Sequence, residues 1–488
     1  MTNFDQFLRD AETANVVPVV ETIPADLLTP LSVYLKLADG AVNSFLLESV
    51  EGGESLARYS FIGVGPEMVV RGNDKRTVVI SETGEVEKAA PLWNYLRTHF
   101  ADQSVAVRSD LPSFVGGAIG YFGFSCSGWF EPTVRGEIDA GENEAEFMFF
   151  RSIVAFDHAK QTIKVISLVF TDEGKGAREM FDKAVERNAG IRKMLEERPI
   201  VLPRATAAEG SAQISSNWER PEFENAVRRI KELIAAGECY QVVLSQCFSR
   251  PTAASAIAIY RAMRSLNPSP YMFLLKFGER SVIGASPEML VRCRGGQLEY
   301  RPIAGTRKRG DTDAEDARLA EEMRADKKEV AEHQMLVDLG RNDLGRVAEF
   351  GSVKVNGLMS VERYSHVQHL VSYLTATLRH GLDRFDAFAS CFPAGTVSGA
   401  PKVRAIEIIQ ELEPTPRGIY AGAAGYIDYA GNMDTCIAIR TMVLENSVAK
   451  VQAGAGIVAD SIPEAEFDET VNKAKALLRA IDIAEGRG

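Results

Sequence analysis

Short runs of β-branched and aromatic residues, bounded by turn-forming residues, dominate roughly the first third of the chain. Such runs are typical of half-buried β-strands. The clearest of them predict strands at 44–49, 68–71, 77–80, 153–156 and 162–170. A charged stretch at about 175–197 then predicts a helix.

Helical periodicity returns after residue 217. Pro221 stands at the expected first position of a helix, apolar residues from Phe223 to Ile234 follow at helical spacing, and Gly237 supplies a stop. Further helices are predicted at about 313–340, 384–391 and 400–412. A last helix should be capped by Ser461, with Pro463 just inside, and run to about 480.

Strands and hairpins alternate with these helices. Strands are predicted at 240–248, 271–277, 282–285 and 436–444, with hairpin turns at 295–296, 430–432 and 446–447. Consecutive hairpins with inserted helices predict an α+β fold built on antiparallel sheets.

The segment 201–217 is poor in large apolar residues and rich in Ala, Ser and Pro, which is typical of a linker or surface loop. A chain of 488 residues has room for roughly two to four domains. We therefore expect an N-terminal domain at 1–200 and a second domain at 218–484.

The formal charge of −12, from 55 basic and 67 acidic residues, argues against nucleic acid or an anionic membrane as the main partner. The N-terminus lacks the pattern of a signal peptide, and no stretch of about 18 apolar residues is present. The six cysteines form no CxxC pair, which is typical of free thiols in a reducing compartment. A cytoplasmic location is expected.

Two predicted helices each carry a pair of glutamates at i, i+3. Glu329 and Glu332 form one pair, and Glu466 and Glu469 form the other. This spacing puts both carboxylates on one helix face, where two converging pairs would suit Mg²⁺. The alternative is that each pair belongs to a solvated helix face.

Two histidines in the motif HVQH, His366 and His369, could ligate zinc, but no Cys or third His lies nearby in the sequence. On a strand the two would point to opposite faces, so only one could face a site. Zinc is therefore disfavoured.

Three segments could bind anions. The turn at 392–402 and the glycine cluster at 454–456 could bring backbone N–H groups to a carboxylate, although either could be a tight turn. Arg440 lies among apolar residues and needs a partner, for which a substrate carboxylate is one candidate. Neither GxGxxG nor GxxxxGK[ST] occurs, so dinucleotide and P-loop sites lack support.

Taken together, these segments resemble the chorismate-utilising enzymes, and within them the large-subunit branch that aminates chorismate to anthranilate. The resemblance covers about the last 270 residues almost continuously and in order. The matching motifs include LLES (46–49), NPSPYMF (267–273), GASPEML (284–290), RPIAGTRKRG (301–310), DKKEVAEHQMLVDLGRNDLGRV (326–347), HVQHLVS (366–372), FPAGTVSGAPKVRAIEII (392–409), GIYAGAAGY (418–426) and VQAGAGIVADSIPEAEFDET (451–470). It implies a sandwich of antiparallel sheets flanked by helices.

The resemblance also implies roles for individual residues. Glu332 and Glu469 would bind Mg²⁺ directly, Glu329 and Glu466 would support it through water, and the metal would hold the ring carboxylate of chorismate. Lys473 would help to neutralise a carboxylate. The implied substrate-binding residues are Gly305, Thr306, Tyr420, Arg440, Gly454, Ala455 and Gly456.

The chemistry implied by the resemblance needs an acid, because hydroxide is a poor leaving group. Glu288 matches the family's candidate acid, and it must keep its proton near pH 7 through a raised pKa. His369 and Thr396 match positions that organise the reaction.

Two positions bear on which nucleophile attacks the ring. Relatives that add water look to carry a Lys where this chain has Gln241, and relatives that make aminodeoxychorismate carry a Lys where it has Ala304. Free ammonia is therefore the expected nucleophile. No cysteine lies in a G-x-C-x-G elbow, so a separate glutamine amidotransferase subunit is expected to supply it, in a heterotetramer of two large and two small subunits.

The motifs LLES and NPSPYM resemble the family's tryptophan-inhibition site, which implicates Ser49, Pro270, Tyr271 and Met272. The alternative is that NPSP is only a turn. Two rival functions stay open: aminodeoxychorismate synthesis, and a tryptophan-binding regulatory protein that has lost catalysis.

Overall fold

The computed structural model describes residues 1–49, 58–135, 142–202, 213–363 and 367–487, apart from the side chains of two residues, Thr306 and Lys328. Most of the predicted linker, residues 203–212, lies outside the described residues, and so does His366. Among the described residues, no helix combines the length and apolar character that crossing a membrane requires.

Two large antiparallel sheets contain all the strands of the described residues. In spatial order, the first sheet consists of β1 (Val16–Pro24), β10 (Thr162–Phe170), β9 (Ser152–Asp157), β3 (Tyr59–Val64), β2 (Asn43–Glu48), β13 (Tyr271–Phe277), β14 (Arg280–Ser286), β23 (Thr441–Glu445), β24 (Val448–Ile457), β12 (Gln241–Pro251) and β11 (Ser215–Ser216), with the short β20 (Gly399–Ala400) also on β12.

The second sheet consists of β17 (Ile303–Lys308), β19 (Val367–Thr377), β16 (Gln297–Tyr300), β15 (Met289–Arg294), β22 (Met433–Ile437), β21 (Ala423–Asp428), β7 (Gly117–Phe122), β8 (Ala145–Phe150), β4 (Met68–Gly72), β5 (Thr77–Ser81) and β6 (Gly84–Lys88), with β18 (Lys354–Arg363) also on β19.

Helices flank the sheets. They are α1 (Phe4–Ala11), α2 (Pro30–Leu37), α3 (Leu92–Ala101), α4 (Ser127–Phe130), α5 (Ala177–Glu197), α6 (Arg220–Ala235), α7 (Ala256–Leu266), α8 (Asp313–Ala325), α9 (Lys327–Gly345), α10 (Arg384–Cys391), α11 (Lys402–Leu412) and α12 (Pro463–Ala484), with short 3₁₀ turns at Phe124–Cys126, Pro132–Val134 and Gly395–Val397.

The two sheets pack face to face over a shared apolar core. Side chains of both sheets belong to the largest buried cluster, and Phe45 of the first sheet meets Phe150 of the second with ring centroids 4.7 Å apart. A second cluster lies between the first sheet and helices that include α2, α7 and α12. The α+β prediction, with antiparallel sheets in a sandwich flanked by helices, is confirmed.

Both sheets join the two halves of the chain. In the first sheet, β2 pairs with β13, and in the second, β7 pairs with β21. Backbone hydrogen bonds therefore join the predicted domains at 1–200 and 218–484 in each sheet. The division into these two domains stays a prediction.

Four local predictions are corrected. The helix expected at 313–340 is two helices, because Asp326 has an extended backbone and its carboxylate accepts the N–H of Glu329 at 3.2 Å, capping α9. Ser461 does not cap α12, since Ile462 holds that position and the Ser461 hydroxyl accepts the N–H of Val458. Pro221 is the second residue of α6, not the first.

The fourth correction concerns the strand expected at 436–444. It is interrupted: Arg440 has a φ of +48°, a left-handed conformation that no strand continues through. The chain here leaves β22 of the second sheet and enters β23 of the first.

Candidate active site

A cavity of about 870 Å³, called the large cavity below, brings together ten of the predicted site residues. Its walls come from β12 and β24 of the first sheet, β17 of the second, helices α9 and α12, and the 3₁₀ turn Gly395–Val397. The ten residues are Glu288, Thr396, Tyr420, Arg440, Gly454, Gly456, Lys473, Glu332, Glu466 and Glu469.

Glu288 and Arg440 lie where neighbouring strands change sheets. The chain passes from β14 to β15 at Glu288 and from β22 to β23 at Arg440. The two crossings are hydrogen-bonded: the Ile437 N–H donates to the Glu288 carbonyl, and the Ala285 N–H donates to the Arg440 carbonyl. A gap between the sheets opens at this point, and both side chains line it.

The Glu288 carboxyl is well placed to act as an acid. Burial raises its pKa from the ordinary 4.5 to about 8, against the lowering effects of the Thr396 hydroxyl, the Ile303 N–H and the Arg440 charge. Burial is the larger effect, because an ionised carboxylate loses more hydration than these neighbours restore. At neutral pH Glu288 therefore keeps its proton, as the sequence analysis expected.

Arg440 is a cation facing the cavity. Its side chain is exposed to the open space of the cavity, and desolvation by the surrounding protein lowers its pKa while the Glu288 charge opposes that shift. Its guanidinium makes no hydrogen bond or ion pair with the described residues. The Oγ1 atom of Thr396 is buried beside the Glu288 carboxyl. Among the described residues, it has no hydrogen-bond partner at normal geometry. A ligand with several acceptor oxygens would satisfy both.

Glycines on β24 leave room beside two of these groups. A Cβ atom on Gly454 would come within 2.6 Å of the Tyr420 hydroxyl, and one on Gly456 within 2.6 Å of the Gln241 side-chain nitrogen. Both distances are too short for a real side chain. The glycine cluster is therefore a wall that lets a ligand reach the strand, rather than a turn. Its third member, Ala455, is fully buried and points away from the cavity.

Three of the four predicted metal-binding carboxylates on α9 and α12 line the cavity. Glu332, Glu466 and Glu469 line the cavity, and Glu469 pairs with Lys473 at 2.7 Å, while the Lys473 ammonium also donates to the Gly454 carbonyl. Glu329 is not in the lining and pairs with Arg307 at 2.6 Å. In the described part of the chain, no group of three or more His, Cys, Asp or Glu side chains is already gathered as a metal site.

His369 lies behind the cavity wall. It is buried on β19, and its Nδ1 lies 3.1 Å from the Gly305 carbonyl, to which it donates in the neutral tautomer that this contact selects. Burial lowers its pKa, so it stays neutral at pH 7. Gly305 has a φ of +63° and forms a bulge opposite His369, and Thr306 follows it with a side chain outside the described part.

The two positions that bear on the nucleophile, Gln241 and Ala304, both line the cavity. Gln452 lines it too and was missed by the sequence analysis. It lies two residues before Gly454 on the same strand, and the strand alternation that places Gly454 and Gly456 on one face could have identified it.

A second cavity of about 370 Å³ contains all four residues of the predicted tryptophan site, Ser49, Pro270, Tyr271 and Met272. It lies where β2 of the N-terminal half pairs with β13 of the C-terminal half. NPSP is therefore more than a turn: it borders a pocket of the size that small ligands occupy.

Comparison with known proteins agrees with this geometry. A sequence model of chorismate binding enzymes matches residues 43–479, a span that contains every residue lining the two cavities. The chain belongs to the chorismate-binding enzyme family. We therefore interpret the large cavity by comparison with members of this family.

Family members with similar sequences share one name. Anthranilate synthase component 1 of Pseudomonas aeruginosa is 45% identical over 99% of both chains. The protein of the same name from Aquifex aeolicus is 46% identical over 97% of this chain and 96% of its own.

Solved structures of the family have the same fold. Anthranilate synthase component I of Streptococcus pneumoniae superposes with a TM-score of 0.76 at 36% identity, over 94% of this chain and 99% of its own. The menaquinone-specific isochorismate synthase of Escherichia coli, at 22% identity, has a TM-score of 0.70 over 98% of both chains and supports the fold alone.

Proposed function

We propose that this enzyme is component 1 of an anthranilate synthase, which converts chorismate and ammonia to anthranilate and pyruvate. One observation carries the proposal: the cavity presents a protonated acid, Glu288, and has neither of the lysines that relatives with other products use, since Gln241 and Ala304 stand in their places. The relatives of similar sequence carry this name.

The first step adds ammonia to the ring carbon next to the one bearing the carboxylate. The hydroxyl across the diene leaves at the same time, and Glu288 gives it a proton so that it departs as water. The second step removes the proton from the aminated ring carbon and breaks the bond between the ring and the enolpyruvyl oxygen, so the ring becomes aromatic. The enolpyruvate that leaves takes up one proton on its methylene carbon and becomes pyruvate. We propose that Thr396, which lies beside Glu288, and His369, which donates to the Gly305 carbonyl, keep the reacting groups in position.

Chorismate carries two carboxylates, so its site needs two regions that accept negative charge. Arg440 and the Tyr420 hydroxyl form one region, and the open face of β24 at Gly454 and Gly456 lets the substrate come close to it. A bidentate contact from the guanidinium would fix the orientation of the carboxylate as well as its charge.

We propose Mg²⁺ as the cofactor of the second region. Glu332 of α9 with Glu466 and Glu469 of α12 supplies oxygen donors from two sides of the cavity, which fits an ion that takes one or two protein carboxylates and leaves places for substrate and water. The bound ion would hold the ring carboxylate of chorismate. Lys473, which now pairs with Glu469, would then be released toward a substrate oxygen.

We also propose that a glutamine amidotransferase subunit supplies the ammonia, in a heterotetramer of two large and two small subunits. The name component 1, which the relatives carry, supports a second component. All six cysteines are free thiols, and five of them are buried in the largest apolar core, which supports a reducing compartment such as the cytoplasm.

Tryptophan is the proposed inhibitor at the second cavity. Apolar walls that include Phe61 and Phe273 suit an indole ring, while the partly exposed Arg58, which pairs with Asp157, places a cation where the carboxylate of an amino acid could bind. Because this cavity adjoins the pairing of β2 with β13, a ligand there acts on contacts between the two halves of the chain.

The decisive experiment supplies chorismate, ammonium and Mg²⁺ to the purified chain, and follows anthranilate by fluorescence and pyruvate by a coupled assay. We expect the two products in equal amounts. An amino product that keeps its enolpyruvyl group would favour aminodeoxychorismate synthesis, and tryptophan binding without any turnover would favour the non-catalytic alternative.

Glu288→Gln tests the acid in the same assay. The amide cannot donate the proton of a carboxylic acid, so we expect kcat to fall by about 10² to 10⁴-fold. Glu146→Gln is the matched control, because Glu146 is also buried with a raised pKa but lies outside both cavities. Equal losses in the two variants would contradict the assignment.

A further inference from the structure

A buried ion pair lies directly behind the active-site wall. Arg417 and Glu413 have side chains only 1% and 4% exposed, and they are joined twice, at 2.9 Å and 2.7 Å. Neither residue lines the cavity. The segment that carries them, EPTPR at 413–417, lies between two of the family motifs and belongs to neither.

The hydrogen bonds that leave this pair end on the cavity wall. The Arg417 guanidinium donates to the carbonyls of Val397 and Val243, each at 2.7 Å, and both of these residues line the cavity. Val397 follows Thr396, the neighbour of Glu288, and Val243 belongs to β12. One planar group therefore joins the 3₁₀ turn to the strand.

Two further contacts reach the substrate-facing side. The guanidinium carbon of Arg417 lies 5.5 Å from the centre of the Tyr420 ring. The backbone carbonyl of Arg417 accepts the Tyr420 N–H. The Glu413 carboxylate accepts the backbone N–H and the hydroxyl of Ser245, and that hydroxyl in turn accepts from Gln452, a residue of the cavity wall.

We infer that Arg417 and Glu413 act together as a positioning unit, which holds Thr396, Tyr420 and Gln452 in register around the substrate; this rests on the proposed function. A buried ion pair is a costly way to stabilise a fold, since apolar side chains of the same size often do as well. Lysine could not replace this arginine, because a point charge cannot hold two carbonyls and a carboxylate in one plane.

The experiment compares Arg417→Lys with Arg250→Lys. Arg250 is the matched control: it lies at the other end of β12, is 5% exposed, pairs with Asp482 and Glu485, and donates to the Leu478 carbonyl, all outside the cavity. Both variants keep the charge and both should lower the melting temperature. We expect only Arg417→Lys to lose kcat/KM for chorismate, by about 100-fold, because a displacement of about 1 Å can cost that much.

The pH profile separates positioning from a loss of stability. Because the Thr396 hydroxyl lowers the pKa of Glu288, its displacement should move the alkaline limb of kcat to higher pH in Arg417→Lys and in Thr396→Val, and not in Arg250→Lys. Assays are run well below the melting temperature of each variant. Should Arg417→Lys fold too poorly to assay, Glu413→Gln provides the same comparison, with Glu485→Gln as its control.

Two results would overturn the inference: a loss of activity in Arg417→Lys no larger than in Arg250→Lys, or an unchanged alkaline limb. The wild-type chain in the same assay tests the proposed function separately. If it makes no anthranilate, the proposed function fails; if it does while the two lysine variants behave alike, only the positioning role fails.

Discussion

At the scale of single residues, the site is built on groups whose surroundings oppose their ordinary ionisation. Glu288 is a carboxyl that stays protonated, and His369 is an imidazole that stays neutral, in both cases chiefly because burial removes hydration from the charged form. The Arg440 guanidinium is a charged group that lines the cavity beside Glu288. A carboxyl held in this way is available as an acid at neutral pH.

The raised pKa of Glu288 should appear in the stability of the protein. A carboxyl whose pKa rises from 4.5 unfolded to about 8 folded favours folding fully below pH 4.5, and this contribution is lost as the pH rises to about 8. Glu288→Gln lacks this ionisation. Its free energy of unfolding, relative to wild type, should therefore increase between pH 5 and pH 9, by at most about 5 kcal/mol.

Urea unfolding at the two pH values measures this difference. Glu464→Gln, which changes a carboxylate paired with Arg228 at the surface, serves as the control and should show no comparable increase. A difference for Glu288→Gln that stays constant from pH 5 to pH 9 would mean that Glu288 ionises normally in the folded protein.

At the scale of elements, helices α9 and α12 approach the cavity from different parts of the chain, and their carboxylates repel one another there. The structure offsets part of this repulsion with cations: Lys473 pairs with Glu469, and Arg307 pairs with Glu329. A divalent ion between the helices would do the same with shorter contacts and would join the two elements.

Mg²⁺ should therefore raise the melting temperature of the chain without any substrate. At 100 times its dissociation constant, an ion that binds only the folded state adds about 2.7 kcal/mol. We expect this gain to be lost in Glu332→Gln and Glu469→Gln and kept in Glu464→Gln, whose residue lies on α12 outside the cavity. A gain that is equal in all four proteins would refute this site.

At the scale of the whole molecule, the two cavities share a wall. Leu266, Asn267 and Pro268 line the large cavity, and Pro270, Tyr271 and Met272 line the small one. A ligand that moves this segment of the chain changes both cavities. If tryptophan binds in the small cavity as we propose, linkage requires that it change the affinity for chorismate by the same factor by which chorismate changes its own.

Met272→Ala tests this coupling. The Met272 side chain packs in the core between the first sheet and the helices, so truncation leaves a void behind the strand that forms the wall of the small cavity. We expect the wall to shift, so inhibition by tryptophan should weaken by about tenfold or more while kcat/KM for chorismate stays within about twofold. Met263→Ala is the control, since Met263 is equally buried on α7 but lines neither cavity. Calorimetry with tryptophan and inhibition curves give the two readouts, and an unaltered inhibition constant in Met272→Ala would contradict the shared wall.

Local signals in the sequence were enough to locate most elements and to select many of the residues that line the large cavity. Strand alternation and turn residues located strands such as β10 and β13, because these signals depend only on neighbouring residues. The motif of Glu288 was recognised with the pKa shift that its role needs. Three of the four failures, at Asp326, Ser461 and Pro221, concern helix ends, where small local differences decide between similar choices. The fourth, at Arg440, is a crossing between the two sheets that the local pattern of apolar residues did not reveal.

The sequence by itself determined the residue types at the site, the antiparallel α+β architecture and the family. Only the tertiary structure decided that Glu288 and Arg440 would meet at adjacent strand crossings, that Glu329 would pair with Arg307 outside the cavity, and that His369 would lie behind the wall. The physical reason is that pairing between strands distant in the chain, such as β14 with β23, β15 with β22 and β17 with β19, brings these groups together. No local pattern encodes such contacts, because they exist only once both sheets have formed and packed.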